Sequence, residues 1–353
     1  MKDHILVALL SLILLASVFL NITIHQYGNK EVIADVRVEN HLYMGNRQEA
    51  IRKTKAAPGS FQYQGNRNAS SIPVYHWNGT FSMSKICEDS NGANFNVAYF
   101  SNHLGKIPIF VYDEKQDRIV SKHLKNEGSW EPTLRKAIID VMMKNPDMLF
   151  IDIGGGLGIF SLEVGIRGFR ALLVDPSVSN IQRFCASANQ GGAFGSVSVL
   201  LNPLSSRHET VQMAAEDDRV SELFILDNNL LKVSQTNESH YVSKEFVNAI
   251  TLDDLLYLPE LQSTKDVVLH IDSAGYEEQI LIGGEFFFKM LRVKVVFIDW
   301  TYNRHPNYSG GIIKFMMDKH FRPFDAHFKI PLIEKPYSEW PLSIGWVHES
   351  YSL

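Results

Sequence analysis

Apolar residues in the second half of the chain are grouped in short continuous runs, and amphipathic segments with helical spacing lie between them. The runs are residues 148–153, 170–175, 197–201, 266–272 and 293–299. Continuous Val, Ile and Leu runs are typical of strands that are buried on both faces of a parallel sheet. The pattern therefore predicts an α/β domain with a doubly wound, mostly parallel sheet that is covered by helices.

Other parts of the pattern predict the elements around this sheet. A helix is expected at residues 131–145, with Pro132 in its first turn, where a missing N–H costs little. Residues 107–121 predict two strands around a polar turn, and residues 203–250 form an insertion that interrupts the strand–helix rhythm. Further helices are expected at 160–168, 178–190 and 276–291, and a closing antiparallel pair of strands at 324–330 and 341–351.

The N-terminus contains the most apolar segment of the sequence. Residues 5–20 carry no charge, and about 20 apolar residues suffice to span a bilayer as a helix. A retained anchor and a cleaved signal peptide both fit, but the bulky Phe19 and Leu20 make a poor cleavage site and favour the anchor. We therefore expect a single-pass type II membrane protein of the Golgi or endoplasmic reticulum with a lumenal body, or alternatively a secreted protein.

Four segments are predicted along the chain. A short tail and signal-anchor helix occupy residues 1–24, and a mostly irregular stem follows at 25–85. An N-terminal extension with a β-hairpin is expected at 86–130, before the α/β domain at 131–353.

Composition and modification motifs limit the classes of partner. The formal net charge of -5 gives no basic surface, so nucleic acid is not an expected partner, whereas the membrane is, through the N-terminal helix. The two cysteines, Cys87 and Cys185, have no metal-site spacing; they either form a disulfide or remain thiols. Five N-x-S/T sequons weakly support a lumenal location: Asn21, Asn68, Asn78, Asn237 and Asn307.

The first predicted strand of the domain ends in the glycine-rich stretch "LFIDIGGGLGIFSL", residues 149–162. No lysine follows the glycines, which excludes a phosphate-binding P-loop. Asp152 precedes them and would repel a pyrophosphate, whereas it suits the positive charges of S-adenosylmethionine. Asp175 ends the second strand at the spacing where a carboxylate accepts both ribose hydroxyls. Together these residues predict a nucleoside ligand, although the glycines could simply allow close packing and Asp175 could be a helix cap.

Two spaced blocks, at residues 152–190 and 250–284, resemble the FkbM family of S-adenosylmethionine-dependent methyltransferases, in its membrane-anchored metazoan type. The first is similar to D-I-G-A-N-x-G, E-P-x-x-x-N and N, and the second to T-L-D-D-L and K-I-D-x-E-G-x-E-x-x-x-L-x-G. The resemblance implies a Rossmann-like class I fold with a seven-stranded sheet and S-adenosyl-L-methionine as cofactor. It implies donor binding by Asp152, Gly154, Gly156, Gly158, Asp175 and Asn202, the last near the adenine.

The second block departs from the family pattern at two positions. His270 stands where the family has Lys, and Ala274 where it has Glu. We expect Asp272 first and His270 second as the base that accepts the acceptor's proton. The expected activity is O-methylation of a hydroxyl, on a glycan or another small hydroxylated molecule. A catalytically degenerate binding protein remains an alternative because of Ala274, and a Golgi glycosyltransferase is disfavoured because the sequence has no Asp-x-Asp.

Overall fold

The computed structural model describes residues 72–352, apart from residues 91–93, 103, 227–240 and 305. The predicted anchor, most of the predicted stem and the sequons at Asn21, Asn68 and Asn237 lie outside this part of the chain. Within the described residues, no helix is both long and apolar enough to cross a membrane.

The described strands form one large sheet, a small three-stranded sheet and a two-stranded hairpin. Their bounds are β1 Val74–Trp77, β2 Phe81–Ser84, β3 Asn96–Asn102, β4 Gly105–Val111, β5 Leu149–Ile153, β6 Arg170–Val174, β7 Val197–Leu200, β8 Glu209–Glu216, β9 Phe224–Ile225, β10 Tyr241–Ala249, β11 Asp266–Ile271, β12 Arg292–Asp299, β13 Phe321–Asp325 and β14 Ser343–His348. The helices are α1 Ile86–Asp89, α2 Val120–Glu127, α3 Pro132–Lys144, α4 Ile159–Ile166, α5 Val178–Gly191, α6 Pro259–Gln262, α7 Glu277–Ile282, α8 Glu285–Met290 and α9 Pro306–Asp318, with 3-10 turns at Leu252–Tyr257, Tyr302–Arg304 and Tyr337–Glu339.

The large sheet has nine strands in the order β13-β14-β12-β11-β5-β6-β7-β1-β2. The neighbours from β12 to β1 pair in parallel, whereas β2, β13 and β14 pair antiparallel. Along β5, Phe150 packs into the core on one face, and Leu149, Ile151 and Ile153 pack into the core on the other. Burial on both faces explains the continuous apolar runs, and the predicted mostly parallel sheet is confirmed.

The sheet is wider than the seven strands that the resemblance implied. Strand β1 pairs in parallel with β7, and β2 pairs with β1 through a turn at Asn78 and Gly79, where Gly79 has a φ of 85°. The prediction of irregular structure is therefore wrong for residues 74–84. The Asn-Gly pair itself is a common sequence signal of a hairpin turn.

The predicted hairpin at residues 107–121 is also corrected. Strand β4 does form, but its partner is β3, which precedes it in the chain. The residues after β4 form a turn and then α2, because Asp117 accepts hydrogen bonds from the backbone N–H groups of Val120 and Ser121 and from the Ser121 hydroxyl. An acidic side chain that satisfies free N–H groups at a helix start favours a helix over a second strand.

The helix expected at residues 276–291 is divided into α7 and α8 at Gly283 and Gly284. A Cβ at Gly283 would lie 2.3 Å from the backbone oxygen of Ser205, and one at Gly284 would lie 2.6 Å from the Leu252 side chain. The two glycines therefore allow the loop after β7 and the 3-10 turn at Leu252–Tyr257 to pack closely against this segment. The helix at 131–145 is confirmed as α3, with Pro132 at its start.

A disulfide joins Cys87 in α1 to Cys185 in α5, with their Cα atoms 5.2 Å apart. It links the segment after β2 to the centre of the domain across a sequence separation of 98 residues. Of the two alternatives for the cysteines, the structure therefore has the disulfide.

The insertion between β7 and β11 carries β8, β9 and β10 as a separate small sheet, and β13 and β14 form the closing antiparallel pair.

Candidate functional site

The glycine-rich turn between β5 and α4 has a backbone that only glycine adopts easily. Gly154, Gly156 and Gly158 have φ values of 74°, 55° and 72°. A Cβ at Gly154 would lie 1.8 Å from the backbone oxygen of Asp272, and one at Gly158 would lie 2.2 Å from the Phe184 ring. These two glycines therefore let other parts of the protein approach the turn, whereas Gly156 faces a cleft.

The cleft has a volume of about 390 Å³ and lies at the carboxyl ends of the parallel strands. Ligands of doubly wound sheets bind at this edge, and the volume is that of a small-molecule site. Its lining includes Gly154, Gly156, Asp175, His270 and Asp272 from the predicted site, which are thus brought together.

Asp175 lies between the glycine turn and the start of α5. One of its carboxylate oxygens, Oδ2, accepts a hydrogen bond from the Gly156 N–H (2.9 Å), and Oδ1 accepts from the Ser177 N–H and the Asn180 amide. Burial raises the pKa of Asp175 to about 7, although these hydrogen bonds lower it. The side chain lines the cleft, where it can accept hydrogen bonds from a ligand's hydroxyl groups.

Asp152 has a different position from the one expected. Its side chain is fully buried: Oδ2 accepts hydrogen bonds from the Ser161 N–H and hydroxyl, and Oδ1 lies 2.8 Å from His270 Nδ1. Asp152 is not part of the lining of the cleft. Its predicted direct contact with a ligand is therefore corrected to the support of His270 and of the start of α4.

Asn202 is likewise occupied by the protein itself. Its side-chain oxygen accepts from the Trp77 N–H, and its Nδ2 donates to the backbone oxygens of Trp77 and Asn248. The residue thus connects β7 to β1 and to β10, and its amide is already used. Asn202 lines a smaller neighbouring cavity together with Gly154 and Asp272. Because its side-chain amide is already hydrogen-bonded, a contact with the adenine would come from its backbone or from van der Waals packing.

Asp272 and four further carboxyl groups line one part of the cleft. Burial, together with the nearby charges of Asp299 and Glu131, raises the pKa of the Asp272 carboxyl well above its usual range. The pKa of Asp299 and that of Glu131 are also raised, in each case mainly by burial. Glu216 and Glu222 also line the cleft, where both pair with Arg219, so the lining carries more acidic than basic groups. An acidic cleft of this kind suits a positively charged ligand.

Asp299, Glu131 and Glu222 were not among the site residues that the sequence patterns predicted. Asp299 ends a buried strand, β12, in the same way that Asp175 follows β6, so its position at the carboxyl edge of the sheet could have been found. Glu131 and Glu222 reach the cleft from outside the sheet, and no local pattern in the sequence indicates this.

The loop after β11 is organised by a buried carboxylate. Glu277 accepts hydrogen bonds from the N–H groups of Ser273 and Gly275 and from the Asn303 amide. Ala274 lies between these donors with a φ of 49° and lines the cleft. Glu277 therefore holds the shape of the loop, while Ala274 adds no polar group to it.

Comparison with known families decides the assignment. The profile described as "Methyltransferase FkbM domain" matches residues 140–323, which is more than half of the chain. The chain belongs to the FkbM methyltransferase family. Among curated proteins, no sequence matches it significantly.

Several solved structures are similar to this FkbM methyltransferase. A precorrin-6y C5,15-methyltransferase from Geobacter metallireducens is 12% identical, with a TM-score of 0.31 over 60% of this chain and 85% of that one. An O-methyltransferase from Bacillus cereus in complex with SAH is 11% identical, with a TM-score of 0.33 over 62% of this chain and 82% of that one. A putative RNA methyltransferase from Pyrococcus horikoshii is 12% identical, with a TM-score of 0.28 over 60% and 78%.

S-adenosylmethionine is the cofactor that membership of the FkbM family implies, and the residues of the cleft fit it. Asp175 offers an acceptor for hydroxyl groups, and Gly156 adds no side chain to its part of the cleft. Ser221 lines the same cleft, and its buried hydroxyl has no hydrogen-bond partner among the described residues. A buried polar atom without a partner is costly unless a ligand or water satisfies it.

We predict that Asp175→Asn weakens the binding of S-adenosylhomocysteine by about 1–3 kcal/mol, the scale of a lost charged hydrogen bond. Because the pKa of Asp175 is raised to about 7, its carboxylate is protonated as the pH falls below that value, and it then accepts fewer hydrogen bonds from hydroxyls. Calorimetric titration should therefore show wild-type affinity falling from pH 8 to pH 6, and a flatter profile in Asp175→Asn. Equal affinities and equal profiles would contradict the assignment.

Proposed function

We propose that this FkbM methyltransferase transfers a methyl group from S-adenosylmethionine to a hydroxyl of a glycan or another small hydroxylated molecule in the secretory pathway. The observation that carries the proposal is the shared cleft. Gly156 and Asp175 line its side near the glycine turn, and His270 and Asp272 line it at the end of β11. The residues that we propose for donor binding and two groups that can accept a proton thus line the same cleft.

The residues of the cleft can perform the two tasks that methyl transfer requires. S-adenosylmethionine, when bound, supplies an activated methyl group with a neutral thioether as the leaving group. Asp175 holds the ligand by its hydroxyls and so fixes the direction of the methyl group, and positioning can supply most of the rate. His270 and Asp272 are placed to accept the proton that the acceptor hydroxyl loses.

The charge of the cleft supports this donor over a nucleotide sugar. In addition to burial, the charge of Asp299 raises the pKa of both Asp272 and Glu131, which indicates that these negative groups are close together. A sulfonium or ammonium group would relieve this repulsion, whereas a diphosphate would increase it. Together with the family assignment, this removes the reason to retain a Golgi glycosyltransferase as an alternative.

A binding protein without catalysis is the second candidate, and one observation favours it. The loop after β11 places Ala274, not the family's Glu, against the cleft. Asp299 and Glu131 line the same cleft, and either can replace the family's missing carboxylate by orienting the acceptor. A methyl-transfer assay therefore distinguishes a binding protein from an enzyme, whereas a ligand-binding assay does not.

To test transfer, the full-length protein is incubated with methyl-labelled donor and a glycan extract from the secretory pathway. We expect label in the glycan fraction, stable to the mild base that cleaves methyl esters, and little label with Asp175→Asn as the matched control. If the wild-type chain binds S-adenosylhomocysteine but transfers no label, the binding protein is the correct assignment.

We further propose that the body of the protein is lumenal and that residues 5–20 anchor it, with secretion as the alternative. The Cys87–Cys185 disulfide supports an oxidising compartment. The sequon at Asn78 supports it too, because Asn78 lies exposed in the turn between β1 and β2.

We predict that Asn78 is glycosylated when the protein passes through the secretory pathway. Its exposed turn is accessible to the transferase, and its side-chain oxygen accepts a hydrogen bond from the amide of the half-buried Asn248. Glycosidase treatment should shift the mass of the wild-type protein, and Asn78→Gln should remove one glycan. Thr80→Ser, which preserves the sequon, is the control and should retain it.

A further inference from the structure

A histidine and an aspartate form a buried pair beneath the cleft. His270 on β11 and Asp152 on β5 are direct partners in the register of the parallel sheet. Their side chains are 3% and 0% exposed, and His270 Nδ1 lies 2.8 Å from Asp152 Oδ1. The two residues are 118 positions apart in the sequence, so only folding brings them together.

The pair has one defined orientation. An ionised carboxylate only accepts hydrogen bonds, and the second oxygen of Asp152 already accepts from the N–H and hydroxyl of Ser161. The ring of Phe160 packs edge-on against the His270 ring at a centroid distance of 4.7 Å. The imidazole is therefore held with its Nδ1–H donating to Asp152, which leaves Nε2 as the acceptor nitrogen.

Carboxyl groups surround the His270 ring. His270 lines the cleft, and the negative groups that face it come from three elements: Asp152 on β5, Asp299 on β12 and Glu131 before α3. Burial raises the pKa of both Glu131 and Asp299, whereas a positive charge on His270 lowers it, so these groups attract one another. Asp272, by contrast, has a pKa raised by burial and by its carboxylate neighbours.

We propose that His270 Nε2 is the general base of this methyltransferase and that Asp152 is the residue that positions it. The inference rests on the proposed function and replaces Asp272 as the first candidate. The acceptor oxygen bonds to the methyl carbon while the carbon–sulfur bond breaks, with its electron pair remaining on sulfur. The hydroxyl proton moves to Nε2, and the imidazolium, stabilised by Asp152, later releases that proton to solvent.

The tautomer of His270 in the free, full-length protein gives a test that does not depend on turnover. In protein labelled with ¹⁵N-histidine, through-bond NMR assignment distinguishes the signal of His270 from those of the other histidines among the thirteen in the chain. We expect hydrogen on Nδ1 and a lone pair on Nε2 when the ring is neutral, and a shift towards the Nε2–H form in Asp152→Asn. A neutral ring with hydrogen on Nε2 in the wild-type protein would overturn the proposal.

Kinetics give the second test. We expect His270→Gln to lower the transfer rate by roughly 10²-fold or more, with S-adenosylhomocysteine affinity within about threefold of wild type. Asp152→Asn should lower kcat more than it raises KM, and Asp152→Glu should partly restore kcat. Transfer that survives in His270→Gln but is lost in Asp272→Asn would assign the base to Asp272 and contradict this inference alone. Absence of transfer by the wild-type chain would contradict the proposed function itself, while the tautomer still reports on the pair.

Discussion

Replacement of Gly154 with alanine is expected to abolish binding of S-adenosylhomocysteine and to lower the free energy of unfolding by roughly 3 kcal/mol or more. Two costs add at this position. The φ of 74° is unfavourable for alanine by about 1–2 kcal/mol, and overpacking typically costs a further 1–3 kcal/mol. The new Cβ would lie 1.8 Å from the backbone oxygen of Asp272, and since backbone cannot rotate away, the loop after β11 must move.

The matched control is Gly192→Ala, at the end of α5. Gly192 has a similar φ of 79°, but no atom lies within 4 Å of the position that a Cβ would take there. This variant should lose only the backbone cost and should bind S-adenosylhomocysteine like the wild type. Chemical denaturation and calorimetric titration of both variants separate the two costs. If Gly154→Ala binds the ligand as tightly as Gly192→Ala does, the contact between the two loops does not shape the site.

Removal of the Cys87–Cys185 disulfide is expected to lower the free energy of unfolding by about 2–5 kcal/mol. The disulfide closes a loop with a sequence separation of 98 residues, and the restriction of the unfolded chain grows with loop length. It also attaches α1, and with it β1 and the edge strand β2, to α5. Thermal unfolding of the wild-type protein should therefore shift to lower temperature when reductant is added.

The double variant Cys87→Ser, Cys185→Ser provides the control for reduction. It should unfold at the temperature of the reduced wild-type protein and should not respond to reductant. A wild-type unfolding temperature that is unchanged by reductant, with free thiols detected in the native protein, would show that the pair does not form.

The sheet could be predicted from the sequence because each of its central strands is buried on both faces. Leu149 and Phe150, for example, enter different cores although they are neighbours, and this leaves a continuous apolar run. The edge strand β2 could not be predicted in this way. Its burial is partial, with Met83 about half exposed, so its composition resembles that of an irregular segment.

The site was predictable where its chemistry is local. Gly156 and Asp175 each follow one of two neighbouring parallel strands. Because such strands end at the same edge of the sheet, the two residues come into contact, and the Gly156 N–H donates to the Asp175 carboxylate. The contacts of Asp152 with His270 and of Asn202 with Trp77 were not predictable, because the partners are 118 and 125 residues apart. An aspartate and an asparagine are also suitable for binding a ligand. Only the fold shows that the side chains of Asp152 and Asn202 are hydrogen-bonded within the protein.

The central claim is that the cleft at the end of β5, β6 and β11 binds S-adenosylmethionine. Calorimetric titration of the full-length protein with S-adenosylhomocysteine tests this claim most directly, with Asp175→Asn and Gly192→Ala measured in parallel. We expect saturable binding with one site per chain, weakened in Asp175→Asn and unchanged in Gly192→Ala. Absence of saturable binding to the folded wild-type protein, or equal binding by Asp175→Asn, would contradict it.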